Sequence, residues 1–430
     1  VNSHVAVILP GIMGSVLQNE GQTIWPGELK DFVFGYRKLE ELMADTVTAT
    51  DILRSVSISK QYAALVGTLE RCGFRENDGS LRAFAYDWRR SNAVSAMALA
   101  DLLDAVAGNA AITLIGHSMG GLIARNYLES GRFQHRPAFG RVQSLITLGT
   151  PHRGAPSALS AILGLERKVF LSASQVAQVA RDPRFPAVYE LLPPAMEPCF
   201  WNALPSSRYA PLDIYLPDIS RRLDLSEENL ASARAFHASL DLSRRPNSVR
   251  YFFFSGSRMA TTAGLFVDPR NPRNLSPGRS KGAGDGTVPI WSSVADGVQS
   301  AFVGGEHSAI YKNGDLCRIL AVLLGYQGTL DVGESVEVCV HQPVVEPGDY
   351  LSVSLSVGSG AGTLEGELRM VLAAEGGDRA VSVRRIEEAS EQVQMAVEAP
   401  TIPGAYRVEF IDKNGRKLGE DELFVQIPGE

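Results

Sequence analysis

A doubly wound α/β sheet followed by a small all-β domain is the fold class predicted for this 430-residue chain. Three observations predict it. From residue 5 to about 324, near-continuous apolar runs alternate with helix-length segments, as buried parallel strands with crossover helices require. The stretch 151–248 interrupts that rhythm with prolines, arginines and helical periodicity. Beyond residue 328 the pattern changes to short alternating segments separated by turn residues, which is the pattern of an antiparallel sandwich.

Taken in order, the core strands are expected at residues 5–9, 80–86, 112–115, 142–148, 249–254 and 298–303. The helices between them are expected at 59–72, 93–107, 120–130 and 315–324. A catalytic region therefore spans 1–328, with an insertion at about 151–248 between two core strands. Insertions at that point commonly cover the site as a helical lid, and a purely structural insertion is the other reading. Residues 268–284, rich in Pro, Gly, Ser and Arg, are expected to form a mobile loop, either a solvated basic loop or a flap that touches substrate. The accessory domain, 329–430, carries strand-like segments at 335–340, 350–357, 363–373, 380–386, 392–397, 405–411 and 423–427. Its phrase Pro403-Gly404-Ala405-Tyr406-Arg407-Val408-Glu409-Phe410 resembles the turn and strand of immunoglobulin-like modules.

Hydrophobic residues make up 45% of the chain and charged residues 21%, the composition of a globular protein with ample core. A net charge of −7 disfavours nucleic acid or a strongly anionic membrane as partner. No apolar run reaches the ~20 residues that span a bilayer. No signal peptide is visible, and a cytoplasmic location is the default expectation. Secretion or a periplasmic location stays open, because a leader can have been removed. Cys72, Cys199, Cys317 and Cys339 are widely spaced, without a C-x-x-C pair or a zinc-like set. Four reduced thiols, or one disulfide in an exported protein, are the two readings. No metal or organic cofactor is expected.

The chemistry centres on Gly116-His117-Ser118-Met119-Gly120. A β-branched strand precedes it and a helical stretch follows, so Ser118 sits on a tight strand-to-helix turn with its hydroxyl exposed. That arrangement is the nucleophile elbow of an α/β-hydrolase. A serine hydroxyl needs a general base, an orienter for that base and donors for the oxyanion. In this fold the chain order is Ser, then Asp or Glu, then His. His307, in Gly304-Gly305-Glu306-His307 after the last core strand, is the expected base. His135, His152, His237 and His341 are the other histidines after Ser118. Asp285, in Gly284-Asp285-Gly286-Thr287-Val288-Pro289, is the expected orienter, with Asp268 and Asp296 as rivals. The oxyanion donors are expected to be the amides of Met119 and Met13, with Ile12 as the nearest alternative in the glycine-rich loop Pro10–Ser15. Ile12, Trp88 and His152 are the candidate substrate contacts. Trp88 stands in Tyr86-Asp87-Trp88-Arg89, where Asp87 and Arg89 are spaced to pair, and it either packs or reaches the pocket.

These phrases together resemble the lecithin:cholesterol acyltransferase-like branch of the α/β-hydrolases, which includes lysosomal phospholipase A2 and phospholipid:diacylglycerol acyltransferases. The matching phrases are Pro10-Gly11-x-x-Gly14-Ser15, Tyr86-Asp87-Trp88-Arg89, Gly116-His117-Ser118-Met119-Gly120, Gly284-Asp285-Gly286-Thr287-Val288 and the late His307. Leu148-Gly149-Thr150-Pro151-His152-Arg153-Gly154 is similar to a phrase of bacterial lipases. The resemblance covers about residues 4–324, and it implies a Ser118–Asp285–His307 triad with oxyanion amides at Met13 and Met119. Two departures stand out. The eukaryotic members close a lid with a disulfide soon after the first loop, whereas residues 18–54 here hold no cysteine. Trp25 and Phe32-Val33-Phe34 are candidate apolar contacts in its place, or core. The module at 329–430 lies outside the family pattern.

The expected activity is hydrolysis or transfer of acyl groups of lipid-like esters through an acyl-enzyme. The alternatives are a carboxylesterase for small esters and a non-catalytic interaction protein on a hydrolase scaffold. A lipid or ester substrate, met at a membrane surface or in solution, is the expected partner, and the C-terminal β domain is the expected place for a protein partner.

Overall fold

In a computed structural model of the chain, residues 3–426 are described apart from 29–30, 32–34, 56–60, 107, 169, 196, 205–209, 272, 329, 331–333, 343, 359–362, 373–378 and 389–390. Phe32-Val33-Phe34 therefore lie outside the described residues.

Six strands form the central sheet: β1 (His4–Leu9), β2 (Leu81–Ala83), β3 (Ala111–His117), β4 (Val142–Leu148), β5 (Arg250–Ser257) and β6 (Gln299–Gly304). They lie in the order β6-β5-β4-β3-β1-β2, all parallel. Side chains on β1 alternate between two apolar layers. Val5, Val7 and Leu9 enter one layer with helices α2 (Asn92–Asp104) and α3 (Met119–Glu129). Ala6 and Ile8 enter the other with helices α1 (Ala63–Arg71) and α4 (Gly314–Leu323). Both faces of the four inner strands, β1, β3, β4 and β5, are thus covered, which is why these read as continuous apolar runs rather than alternating ones, whereas the edge strand β6 is mostly exposed. Strand order reverses between β1 and β3, and their carboxyl ends flank the switch point where open sheets of this kind build sites.

The stretch between β4 and β5 contains the helices Ser157–Ile162, Ala173–Arg181, Pro217–Arg222 and Glu227–Ser239 around an apolar cluster that Leu265 and Val267, from beyond β5, also join. A capping box between Ser172 and Gln175 starts the second of these. The short strand Phe200–Asn202 leaves this stretch and pairs with Met259–Val267.

One expectation is corrected here. Within the segment read as a mobile loop, Leu275–Gly284 is a strand, paired antiparallel with Met259–Val267. Its proline, glycine and arginine content gives no intrinsic strand signal. Extended form comes from the edge that Met259–Val267 presents, a tertiary effect that overrides local propensity.

The C-terminal strands form two sheets. Val336–Val340, Tyr350–Val357 and Gln392–Glu398 make one. Val344–Val345, Lys417–Val425, Gly404–Asp412, Leu364–Leu372 and Arg379–Glu388 make the other. Val338, Val353 and Leu355 from the first sheet share one apolar cluster with Leu368, Tyr406 and Leu423 from the second. All four cysteines are free thiols. Among the described residues no helix is long and apolar enough to cross a membrane.

Candidate active site

Strand β3 delivers Ser118 to the switch point. Ser118 has φ +52°, a left-handed conformation that a non-glycine residue holds only under constraint. The constraint is visible on both sides. The Ser118 amide donates to the Leu148 carbonyl at 2.9 Å, and the Ser118 carbonyl accepts from Thr150 Oγ1 at 2.8 Å. A side chain at Gly120 would put its Cβ 2.3 Å from the Leu9 carbonyl oxygen, and one at Gly116 would put it 2.5 Å from Gly121 Cα. Only glycine allows helix α3 to start this close to β1 and β3.

His307 follows β6, and its Nε2 lies 2.9 Å from Ser118 Oγ. Its Nδ1 lies 2.7 Å from Asp285 Oδ2. A carboxylate only accepts, so Nδ1 carries the proton and Nε2 is left to accept from the serine hydroxyl. The other carboxylate oxygen, Asp285 Oδ1, accepts from the amides of Thr287 at 3.0 Å and Val288 at 2.7 Å. The His307 amide donates to the Asp285 carbonyl at 2.9 Å, so the two loops are also joined through backbone. Asp285 is 1% exposed and Ser118 6%. Burial alone would lower the His307 pKa, but the charge and hydrogen bond of Asp285, with help from Glu306, outweigh it and hold the imidazole above its ordinary value.

The loop after β1 abuts the serine. A Cβ on Gly11 would stand 2.9 Å from Ser118 Cβ. The loop is tied by Gly14 N–H donating to the Gly11 carbonyl at 3.0 Å, by Trp25 Nε1–H donating to the Met13 carbonyl at 2.9 Å, and by Tyr86 O–H donating to the Pro10 carbonyl at 2.7 Å. Met13 is left-handed, at φ +62°. Met119 is the first residue of α3, where backbone N–H groups have no partner within the helix.

The remaining sequence candidates take other places. Asp268 pairs with Arg270, and Asp296 lines a cavity of about 610 Å³ that none of Ser118, Asp285 or His307 borders. His135 is exposed, His341 bonds to Ser354, and His237 bonds to the Leu192 carbonyl. His152 lines the same cavity as Asp296, is stacked 3.7 Å from Phe253, and bonds to Thr147 and Arg125. Trp88 is 1% exposed and packs edge-on to Trp25 in the apolar core, with centroids 5.3 Å apart. Trp25 is itself core. Ile12 is partly buried against that core. Asp87 and Arg89 do pair, through Nε and Nη2 of the buried arginine at 2.8 and 2.7 Å.

Sequence reasoning missed two positions. Gly149 has φ +58°, and a Cβ there would stand 2.9 Å from Asp285 Oδ2 and 3.2 Å from His307 Nδ1. The phrase Gly149-Thr150-Pro151 was the available signal. Tyr62, at the N-cap of α1, bonds to His117 and to the Gly11 amide, and nothing in its local sequence marks it.

Residues 40–240 match the lecithin:cholesterol acyltransferase family. Among curated relatives, lecithin-cholesterol acyltransferase-like 4 of Arabidopsis thaliana is 28% identical over 308 residues, 58% of this chain and 56% of that protein. Phospholipase A(1) LCAT3 of the same plant is 29% identical over 142 residues, 30% of each chain. The chain thus spans about half the length of the first of these relatives and less of the second. A solved metagenomic carboxyl esterase aligns over 76% of both chains at 13% identity with a TM-score of 0.35. The family match takes in the Ser118 elbow and the helices around it, and the relatives carry the same family name, so over this region the chain is similar to the lecithin:cholesterol acyltransferase family.

Proposed function

We propose that this chain is a serine ester hydrolase or O-acyltransferase that works on lipid-like esters through an acyl-enzyme on Ser118. The observation that carries the reading is the unbroken line of hydrogen bonds from Asp285 through His307 to Ser118 Oγ. The likeness of residues 40–240 to the lecithin:cholesterol acyltransferase family supports an ester of a lipid as the substrate class.

In the first half-reaction Ser118 Oγ attacks the ester carbonyl as its proton passes to His307 Nε2. The tetrahedral oxyanion is held by the amides of Met119 and of Met13 or Ile12, from the two backbone segments that adjoin Ser118. The ester C–O bond then breaks, and the imidazolium gives its proton to the departing alcohol. Asp285 steadies the imidazolium without taking its proton. In the second half-reaction His307 deprotonates water or a second alcohol, and the acyl group leaves the serine. Which acceptor wins separates hydrolase from transferase.

The stretch 151–248 acts as the lid in this reading. Support comes from the enclosure of the site: the His307 side chain is only 11% exposed and Ser118 6%, so an acyl chain needs an opening before it reaches Oγ. The 329–430 region is read as an immunoglobulin-like accessory domain that supports the His307 loop.

Labelling with a fluorophosphonate tests the reading. The parent chain is expected to label and to cleave phospholipid, triglyceride or p-nitrophenyl esters, while Ser118→Ala does neither. Turnover surviving in Ser118→Ala would remove the mechanism. Lipid esters left intact beside rapid cleavage of short esters would replace the substrate class with small esters.

A further inference from the structure

Behind the line from Asp285 to Ser118 runs a second hydrogen-bonded line that the chemistry above does not use. The Gly11 amide lies 2.8 Å from Tyr62 Oη, Tyr62 Oη lies 2.6 Å from His117 Nδ1, and His117 Nε2 lies 2.9 Å from the His307 carbonyl oxygen. The chemistry of each end fixes the direction of every bond. A carbonyl only accepts, so His117 carries its proton on Nε2 and donates to His307. Its Nδ1 is then an acceptor and takes the Tyr62 hydroxyl proton. The Tyr62 oxygen in turn accepts from Gly11 N–H. Both side chains are buried, and the His117 ring is packed against the rings of His307, Tyr311 and Tyr62 at centroid distances of 5.1, 5.3 and 5.6 Å. Burial, with the neighbouring His307 charge, lowers the His117 pKa to about 3, so one proton and one tautomer serve throughout the neutral range.

We propose that Tyr62 and His117 are positioning residues that lock the oxyanion loop after β1 to the His307 loop after β6 through this single relay. The proposal rests on the reading of Ser118, His307 and the loop amides given above. Gly11 directly precedes Ile12 and Met13, the residues assigned there to the oxyanion. His307 supplies the base. The elbow residue His117 stands between these two halves and adjoins the nucleophile itself. Oxyanion donors and base therefore keep their separation as one unit, anchored to β3. Such a device acts on the transition state, where the donors and the base must both be in register, and leaves ground-state binding alone.

The test uses the whole chain, p-nitrophenyl butyrate as probe, and fluorophosphonate titration to count working sites. Tyr62→Phe and His117→Phe keep a ring in place but break the relay. Each is expected to lower kcat per titrated site by about tenfold, the effect of one lost buried hydrogen bond. KM should change by less than about twofold. The double variant should be no slower than the worse single one, because both cut the same line. His117→Gln, which keeps a donor near the place of Nε2, should recover most of the rate. An unchanged kcat per titrated site in His117→Phe overturns the proposal, as do independent, multiplying effects of the two substitutions. A loss explained entirely by fewer titratable sites also overturns it, since that is a folding effect. If Ser118→Ala still turns over the probe, the underlying reading has failed. If Ser118→Ala is inactive while His117→Phe equals the parent, only the relay has.

Discussion

Asp285 is the residue whose environment most sharply defines the candidate chemistry. One of its oxygens faces His307 and the other is saturated by two amides, so the carboxylate has a single orientation. Asp285→Asn keeps the shape and removes the charge. It is expected to lower kcat by roughly 10³–10⁴-fold, because the imidazole loses the tautomer that leaves Nε2 free. The same variant should move the pH profile. In the proposed mechanism His307 must be neutral to accept the serine proton, and its pKa is held above the ordinary histidine value. kcat/KM should therefore rise with pH through a midpoint above about 6.5. Without the Asp285 charge, burial prevails and the midpoint should fall. A midpoint that stays in place in Asp285→Asn would show that another group controls the limb.

Turns, rather than regular elements, set the geometry at the next scale. Gly149, just beyond β4, is left-handed, and its missing side chain leaves the space into which Asp285 and His307 converge. Gly149→Ala is expected to cost about 1–2 kcal/mol of stability in chemical denaturation, the penalty of a left-handed L-residue. Activity should fall further than stability, by about tenfold or more, since the new Cβ pushes directly on Asp285 and His307. Proportionate losses of the two would make Gly149 a folding residue only. The hairpin of Met259–Val267 and Leu275–Gly284 makes a related point. Its second strand is extended because of what it pairs with. Gly264 lets the Trp201 ring lie against the first strand, where a Cβ would come within 2.1 Å of it.

For the molecule as a whole, the seam between the C-terminal sheets and the His307 loop carries the main prediction. Glu337 lies against that loop, so that a Cβ on Gly304 would stand 2.8 Å, and one on Gly305 2.6 Å, from its carboxylate oxygens. Cys339 Sγ lies 3.3 Å from Met259 Sδ, and Asp421 accepts from the Val340 amide at 2.7 Å. Burial first, then the charge of Glu306, pushes Asp421 up to about 7, with Lys312 and the Val340 amide pulling the other way. Burial likewise takes Glu422 to about 8, against Lys312 and with the charges of Asp421, Glu306 and Glu420. A carboxyl whose folded pKa is raised stabilises the fold while protonated. Its contribution is present at low pH and is lost as pH rises through about 7–8. His307, whose pKa is also raised, adds a loss in the same direction. The buried His117, His152 and His237 have lowered pKa values and act below the ordinary histidine value, where the fold loses stability as pH falls. Above about pH 6.5 the carboxyls and His307 should dominate. The melting temperature is thus expected to drop between about pH 6.5 and about pH 8.5, and Asp421→Asn, which keeps an acceptor for Val340, should flatten that slope. An equally steep slope in the variant would remove Asp421 from the seam's titration.

Contiguous residues carried the part of this protein that was legible without its fold. The strand, elbow and helix around Ser118 could be read because glycines at 116 and 120 and a β-branched run before them leave few other conformations. The four inner core strands could be read because burial on both faces demands apolar runs. Asp285 and His307 could be named as candidates because glycine-rich turns after the late strands, in the order the fold requires, are few. The rest depended on three-dimensional assembly. The contacts of Tyr62 with Gly11 and His117, the space left at Gly149, and the extended form of Leu275–Gly284 exist only once sheet order brings distant segments together. A hydrogen bond between residues 51 or 55 positions apart leaves no local periodicity, and a strand made of proline, glycine and arginine owes its shape to the neighbour it pairs with rather than to its own side chains.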